Sequence, residues 1–416
     1  MNKLSEELSW RGFVNQTTFK NITDLDEKTR TFYWGVDPSS DSMQIGNLAA
    51  AMMARHFIDH GYKAILLVGG ATGMIGDPDG KSEERELKPL EEVAKNKAGI
   101  AAQYKRVFAG QEFEIVDNYD WFKGMGYLEF LRDVGKHVPM RQMLGREFVQ
   151  SRLGEEGAGI SYAEFSYSLI QGYDFYHLFK DKGATLQIAG ADQWGNCIAG
   201  VDLIRRIAGG EAHIWSTPLI INKATGKKFG KTEDGAIWLD EKKTSVYKFY
   251  QFWLNADDSG VEEYIKVYTL LSQAEIAEVM SEFKEHPGGR AAQKALAYEV
   301  TKIVHGEAKA EMARQLTETL FGTGSYGSLN AENFKMLADG LPLVEQTTDG
   351  SLIDALVNAG LASSNTEARR FLEGNAVYIN GQQIPLSKTH FDSHDQLHGY
   401  AVLRIGKNKN ALVHFN

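Results

Sequence analysis

The chain has 416 residues, 43% hydrophobic and 24% charged, with a formal charge of −10, which is too long for one compact core and implies two or three domains. The acidic balance argues against a protein that coats nucleic acid nonspecifically, because phosphate binding needs clustered Lys and Arg; local patches can still read RNA. The single cysteine, Cys197, excludes an internal disulfide and any cysteine-cluster zinc site, and fits a reducing compartment.

In chain order, the N-terminal MNKLSEELSWRGF lacks the apolar centre of a signal peptide and carries acids that a transit peptide avoids. No apolar run approaches the roughly 20 residues that span a bilayer, so a cytoplasmic protein with no membrane partner is expected. Thr31-Phe-Tyr-Trp34 is a strand ending at Gly35, Ala64-Ile-Leu-Leu-Val68 a buried parallel strand ending in Gly69-Gly70, and Leu186-Gln-Ile-Ala189 a third ending at Gly190. Helical patterns at Leu48–His60 and Leu90–Phe108 alternate with them. Such alternation implies an α/β fold, a doubly wound parallel sheet whose ligands sit beyond the carboxyl ends of the strands. From about residue 245 the pattern is helical: Val261–Leu271, Gln273–Glu285, Arg290–His305 and Ala308–Phe321. Gly322–Leu329 reads as a break, and residues 330–348 show weak periodicity. The last unit has helices at Leu352–Ala359 and Asn365–Glu373, a strand from Val377 into an Asn-Gly turn, and a hairpin of Val402–Ile405 with Leu412–Phe415. Residues 349–416 hold six Lys/Arg and six Asp/Glu, a neutral unit in an acidic chain. The expected organisation is a Rossmann-like catalytic domain at 1–225, a mobile phosphate-binding loop at 226–244, an α-helical domain at 245–325, a linker at 326–348 and a small α+β RNA-binding domain at 349–416.

Three segments carry chemistry. Tyr33-Trp-Gly-Val-Asp-Pro-Ser-Ser-Asp-Ser-Met-Gln-Ile-Gly-Asn-Leu48 puts glycines and polar groups where a strand gives way to a helix, whose free N–H groups and dipole suit phosphates. Gly46 lets the backbone approach a base or sugar. Gly69-Gly-Ala-Thr-Gly-Met-Ile-Gly-Asp-Pro-Asp-Gly80 lacks the spacing of a Walker loop and of a dinucleotide fingerprint. Its Asp77 suits an ammonium group, while Lys81 and Arg85 suit phosphate; solvated surface roles are the plain alternative for all three. Lys228-Phe-Gly-Lys-Thr232 offers two lysines that can close over a polyphosphate as it develops charge.

Together with Tyr167-Ser-Leu-Ile-Gln-Gly-Tyr-Asp174 and Gly190-Ala-Asp-Gln-Trp-Gly-Asn196, these segments resemble the class I aminoacyl-tRNA synthetases, specifically the bacterial tyrosyl enzymes, from Arg11-Gly-Phe to the C-terminus. The resemblance implies a homodimer acting on tyrosine, ATP and tRNA(Tyr), with no DNA partner. Mg²⁺ would be carried by the nucleotide, with no metal site in the protein. It implies that Tyr33 and Asp174 hold the substrate phenol. A site built to pair a hydroxyl rejects an analogue lacking it, and tyrosyl enzymes are the standard illustration of that rule. Asp77, Tyr167, Gln171 and Gln193 would surround the ammonium and carboxylate, with Asn118 nearby. Tyr167, Gln171 and Asp174 stand at i, i+4 and i+7, one helical face. Gly35, Asp37, Ser39, Gly46, Gly190, Asp192, Lys228 and Lys231 would bind ATP. Lys228, Lys231, Thr232, Gln44 and Asn47 would act on the leaving pyrophosphate. Arg369, Arg370, Arg404, Lys407 and Lys409, besides Lys81 and Arg85, would contact tRNA, and the 130–165 region with Phe148 would lie near the dimer interface.

One departure stands out. The family's usual His-x-Gly-His signature reads Gln44-Ile45-Gly46-Asn47 here. Glutamine can donate to a phosphate oxygen without a charge, a loss on the order of 1–3 kcal/mol, roughly tenfold to a hundredfold in rate. Gln44 alone favours a competing reading, a non-catalytic RNA-binding paralogue; the retained pocket residues disfavour it. A tryptophanyl enzyme would lack Tyr33 with Asp174, and a small-molecule nucleotidyltransferase would lack the RNA-binding domains.

Overall fold

The computed structural model describes residues 3–78, 88–154, 157, 159–232, 235–322, 324–406 and 409–416, apart from the side chains of 147, 148, 231 and 232. It divides into two compact units, one of Met1–Asp240 with Asp257–Ala292 and one of Glu241–Ala256 with Gln293–Asn416.

The first unit is built on strands β1 (Gln16–Thr17), β2 (Thr31–Val36), β3 (Lys63–Val68), β4 (Phe113–Asp117), β5 (Ala184–Gly190) and β6 (His213–Thr217). Their order is β1-β6-β5-β2-β3-β4, with β1 antiparallel to β6 and every other neighbour parallel. The chain runs outward from β2 through β3 to β4, then returns to place β5 on the other side of β2. The winding therefore reverses between β2 and β5, and the loops leaving those two strands diverge there, opening a crevice at their carboxyl ends.

Period-two alternation directs the β2 side chains to opposite helix layers. Phe32 packs on Phe57 of the helix Ile45–Asp59, and Trp34 on Tyr104 of the helix Leu90–Val107. Between them, Tyr33 turns to the other layer, where its ring lies 5.2 Å from Phe175 of the helix Tyr162–Lys182. That helix starts at Ser161, which accepts from the Glu164 N–H, and stops at Gly183 in the left-handed region.

Two organisational expectations need correction. Residues 245–325 do not form one helical domain: the helices Val261–Tyr268 and Gln273–Glu285 belong to the first unit. The physical tie is Arg11, whose buried guanidinium donates to the carbonyls of Lys266, Thr269 and Leu271 at 2.7, 3.0 and 2.7 Å. Nor are residues 326–348 a linker. They contain the helix Ala331–Gly340, capped by the Asn330 side chain, and the strand β9 (Leu343–Gln346), which follows the short hairpin β7 (Lys231–Thr232) and β8 (Gly235–Ala236) of the first unit.

In the second unit β9 joins a five-stranded sheet with β10 (Val377–Ile379), β11 (Gln382–Gln383), β12 (Tyr400–Ile405) and β13 (Lys409–Phe415), in the order β11-β10-β12-β13-β9. One face of β12 and β13, with Ala401, Leu403, Ala411 and Val413, packs against Leu352, Ala355, Leu356 and Ala368. Val402 and Leu412 on the other face pack with Tyr247, Leu316, Phe334 and Leu337. Phe334 and Leu337 find these partners far along the chain, which is why the local pattern looked weak.

Candidate active site

The carboxyl ends of β2 and β5 open into a cavity of about 610 Å³. Its walls hold Tyr33, Gly35, Asp37, Ser39, Gln44, Gly46, Asn47, Asp77, Tyr167, Gln171, Asp174, Gly190, Asp192, Gln193 and Lys228. Five separated segments thus converge on one space at the switch in winding direction.

At its deep end Tyr33 is 2% exposed and its hydroxyl has no hydrogen-bond partner among the described residues. Asp174 is 1% exposed and accepts from Asn118 Nδ2 at 3.0 Å and Trp121 Nε1 at 2.9 Å. Burial pushes the Asp174 carboxyl well above its ordinary value, the two hydrogen bonds pull against that shift, and Asp37 adds to it. Burial likewise raises Tyr33, followed by the nearby Cys197 and Asp174. An acceptor and a hydroxyl buried at one end of a cavity are matched to a ligand hydroxyl.

A polar belt lies above. Tyr167 donates to Asp37 Oδ2 at 2.7 Å, and Thr72 donates to Asp37 Oδ1 at 2.6 Å. Gln193 Nε2 donates to Asp77 Oδ2 at 2.6 Å. The Gln171 carbonyl oxygen is buried with no partner among the described residues. A Cβ on Gly69 would stand 2.2 Å from Asp37 Oδ1 and 2.3 Å from Thr72 Oγ1, so only glycine permits that pairing. Two carboxylates with oriented amides suit a cationic group.

The mouth is formed by the N-terminus of the helix Ile45–Asp59. Asn47 Oδ1 accepts the Gln44 N–H at 3.0 Å, which leaves the Asn47 amide hydrogens for a ligand. A Cβ on Gly46 would meet nothing within 4 Å, so the backbone there faces open space. The segment bearing Lys228 returns to this helix: Ile45 N–H donates to Ile237 O and Leu239 N–H to Met43 O. Phe229 stacks on Tyr264 at 4.1 Å, and Gly230, with φ of 91°, lies so close that a Cβ would be 2.3 Å from Ile45 Cγ1. The backbone of Lys231 and Thr232 pairs with Ala236 and Gly235.

Other expected residues lie elsewhere. Asn118 is buried behind Asp174, bridging it to Thr72 and to the Ala71 N–H. In the second unit Arg369 and Arg370 are exposed on the helix Asn365–Glu373, Arg370 within 3.5 Å of Glu367. Arg404 lies 4.1 Å over the Tyr378 ring, and Lys409 is exposed on β13. Lys81, Arg85 and Lys407 lie outside the described residues, as does the side chain of Phe148. Sequence reasoning missed Trp121, Thr72 and Gln187, whose buried carbonyl oxygen also borders the cavity without a partner among the described residues. Trp121 stands three residues past Asn118 at the end of β4, the only signal that could have found it.

Comparison with known proteins bears on this geometry. Residues 25–322 match the family model for tRNA synthetases class I (W and Y), and residues 333–413 match the tyrosine–tRNA ligase SYY-like C-terminal domain. A tyrosine–tRNA ligase of Bacillus caldotenax is 44% identical over 420 residues, 99% of each chain. One from Dechloromonas aromatica is 45% identical over 419 residues, covering 99% of this chain and 98% of its own. The crystal structure of a C-terminally truncated Aspergillus nidulans mitochondrial tyrosyl-tRNA synthetase superposes with a TM-score of 0.70 at 31% identity, over 77% of this chain and 95% of that one.

Proposed function

This chain belongs to the tyrosine–tRNA ligases, class I aminoacyl-tRNA synthetases, and from that premise we propose how its residues divide the work. Ligation of tyrosine to tRNA consumes ATP. The tyrosine carboxylate attacks the α-phosphate, pyrophosphate leaves, and a ribose hydroxyl of the tRNA terminus takes the tyrosyl group from the adenylate. No side-chain nucleophile is needed, so catalysis is positioning and charge stabilisation.

Asp174 accepts a hydrogen bond from the tyrosine phenol, and Tyr33 pairs with the same oxygen. Asp77, Tyr167, Gln171 and Gln193 hold the ammonium and carboxylate. Asp37, Ser39, Gly46, Gly190 and Asp192 receive the adenosine side, beside Gly35. Lys228, Lys231 and Thr232 meet the β- and γ-phosphates as charge develops, with Gln44 and Asn47 donating from the helix N-terminus. Mg²⁺, where bound, would be carried by the triphosphate and would supply charge neutralisation; Lys228 and Lys231 are cations, a donor set for phosphate and not for metal. Arg369, Arg370, Arg404, Lys407 and Lys409 contact the tRNA, as do Lys81 and Arg85. The protein works in the cytoplasm as a homodimer through the 130–165 region. Tyr127, Leu128, Met140, Leu153 and Tyr162 in and beside that region leave large apolar side chains exposed, which supports the reading.

The observation that carries the assignment is the convergence of Tyr33, Asp77, Tyr167, Gln171, Asp174 and Gln193 on one cavity that also reaches Gly46 and Lys228. Pyrophosphate exchange measured with each of the twenty amino acids tests it. Tyrosine alone should support exchange well above buffer; exchange indistinguishable from buffer, or driven equally by phenylalanine, would refute it.

A further inference from the structure

Asn196, the last residue of Gly190-Ala-Asp-Gln-Trp-Gly-Asn196, is 3% exposed and does not border the cavity. Its carbonyl oxygen accepts from Arg146 Nη1 at 2.7 Å, and Arg146 Nη2 donates to the Gly195 carbonyl at 2.5 Å. A guanidinium can only donate, so it determines which end of the Asn196 amide faces it. The NH2 end is thereby turned toward Gln193 Oε1 at 3.3 Å and Asp77 Oδ2 at 3.5 Å. Gln193, with its oxygen occupied by Asn196, presents its own NH2 to Asp77 Oδ2 at 2.6 Å. Each amide in this relay takes the orientation set by the guanidinium, which cannot accept a hydrogen bond.

We infer that Arg146 is a positioning residue for tyrosine activation: without touching substrate, it fixes the amide relay that aims Gln193 and Asp77 at the substrate ammonium. The inference rests on the assignment of Asp77 and Gln193 to that group. The relay holds Asp77 through Oδ2. Released from Arg146, the Asn196 amide can flip and present its oxygen to Asp77 Oδ2 and Gln193 Oε1, and the repulsion would swing both side chains off their aim. Arg146 opens the helix Glu147–Leu153, so the relay ties the segment before Tyr162 to the helix Trp194–Leu203 that follows β5. Adenosine and phosphate groups lie outside it.

The test is steady-state pyrophosphate exchange with the full-length protein, varying tyrosine at saturating ATP and then ATP at saturating tyrosine. Arg146→Met, which keeps bulk but no donor, should raise the KM for tyrosine about tenfold, the loss of one oriented polar contact to a charge. The KM for ATP should stay unchanged, and Arg146→Lys should recover part of the loss. Adding Asn196→Ala to Arg146→Met should cost no more than Asn196→Ala alone, because both act through one relay. Equal rises in both KM values, no rise in either, or multiplying effects in the double variant would overturn the proposal. Should Arg146→Met fail to fold, Arg146→Gln against Arg146→Lys reads the same selectivity. Asp77→Asn separates the two levels. An unchanged tyrosine KM there brings down the ammonium assignment and the inference with it. A raised one beside an unaffected Arg146→Met overturns the inference alone.

Discussion

Two side chains at the deep end of the cavity carry opposite consequences for stability and for function. The Tyr33 hydroxyl is buried with no partner among the described residues, a group that costs stability when unpaired. Tyr33→Phe should therefore leave the thermal stability of the ligand-free protein at or above that of the wild type. It should also lower kcat/KM for tyrosine by about tenfold, the size of one lost hydrogen bond. Asp174 behaves likewise through its proton. Its carboxyl is raised by burial, so ionising it costs the native protein more than it costs the unfolded chain. That contribution to stability is fully present below the ordinary value of 3.8 and is lost as pH rises through the raised one. Asp174→Asn should thus unfold at higher denaturant than the wild type at neutral pH, the advantage vanishing in acid, while tyrosine activation falls. At the mouth, Gln44→His should raise the rate of adenylate formation by roughly tenfold if a charged donor serves the phosphates better than an amide. That Tyr33, Asp77 and Asp174 share one cavity was legible because each stands in a motif. Trp121 and Arg146 were not, since their importance lies in which distant group they touch.

At the scale of elements, the Lys228–Thr232 segment is held by a glycine that nothing else can replace. Gly230 combines a left-handed backbone with close contact to Ile45, so Gly230→Ala meets both strain and a clash. Adenylate formation should fall by about tenfold or more with the KM for tyrosine unchanged, since the phenol is assigned to Tyr33 and Asp174 and not to this segment. The strands β2, β3 and β5 were readable from short apolar runs ending in glycine, and the helices Gln273–Glu285 and Asn365–Glu373 from their periodicity and caps. The strand β9 was not, because four residues, Leu343-Val-Glu-Gln346, gain their identity from parallel pairing with β13 at the other end of the unit. A chain ending at Pro342 should keep tyrosine-dependent exchange and lose charging of tRNA. It should also become less soluble, because Tyr247, Phe334 and Leu337 would lose the cover of Val402 and Leu412.

For the whole molecule, the doubly wound sheet explains why residues as far apart in sequence as Tyr33 and Gln193 share a cavity: β2 and β5 are neighbours in the sheet with diverging exits. Fold class followed from strand–helix alternation. Unit boundaries did not, because Arg11 recruits helices whose own periodicity carries no record of the unit they join. The exposed Tyr127, Leu128 and Tyr162 predict a dimer mass in sedimentation equilibrium, with charged substitution at Leu128 shifting it toward the monomer. The account depends most on the buried hydroxyl clamp. The measurement that reaches it is the ratio of kcat/KM for tyrosine to that for phenylalanine in pyrophosphate exchange, wild type beside Asp174→Asn. Asp174→Asn should lower that ratio by at least about tenfold, whereas an unchanged ratio would contradict the clamp.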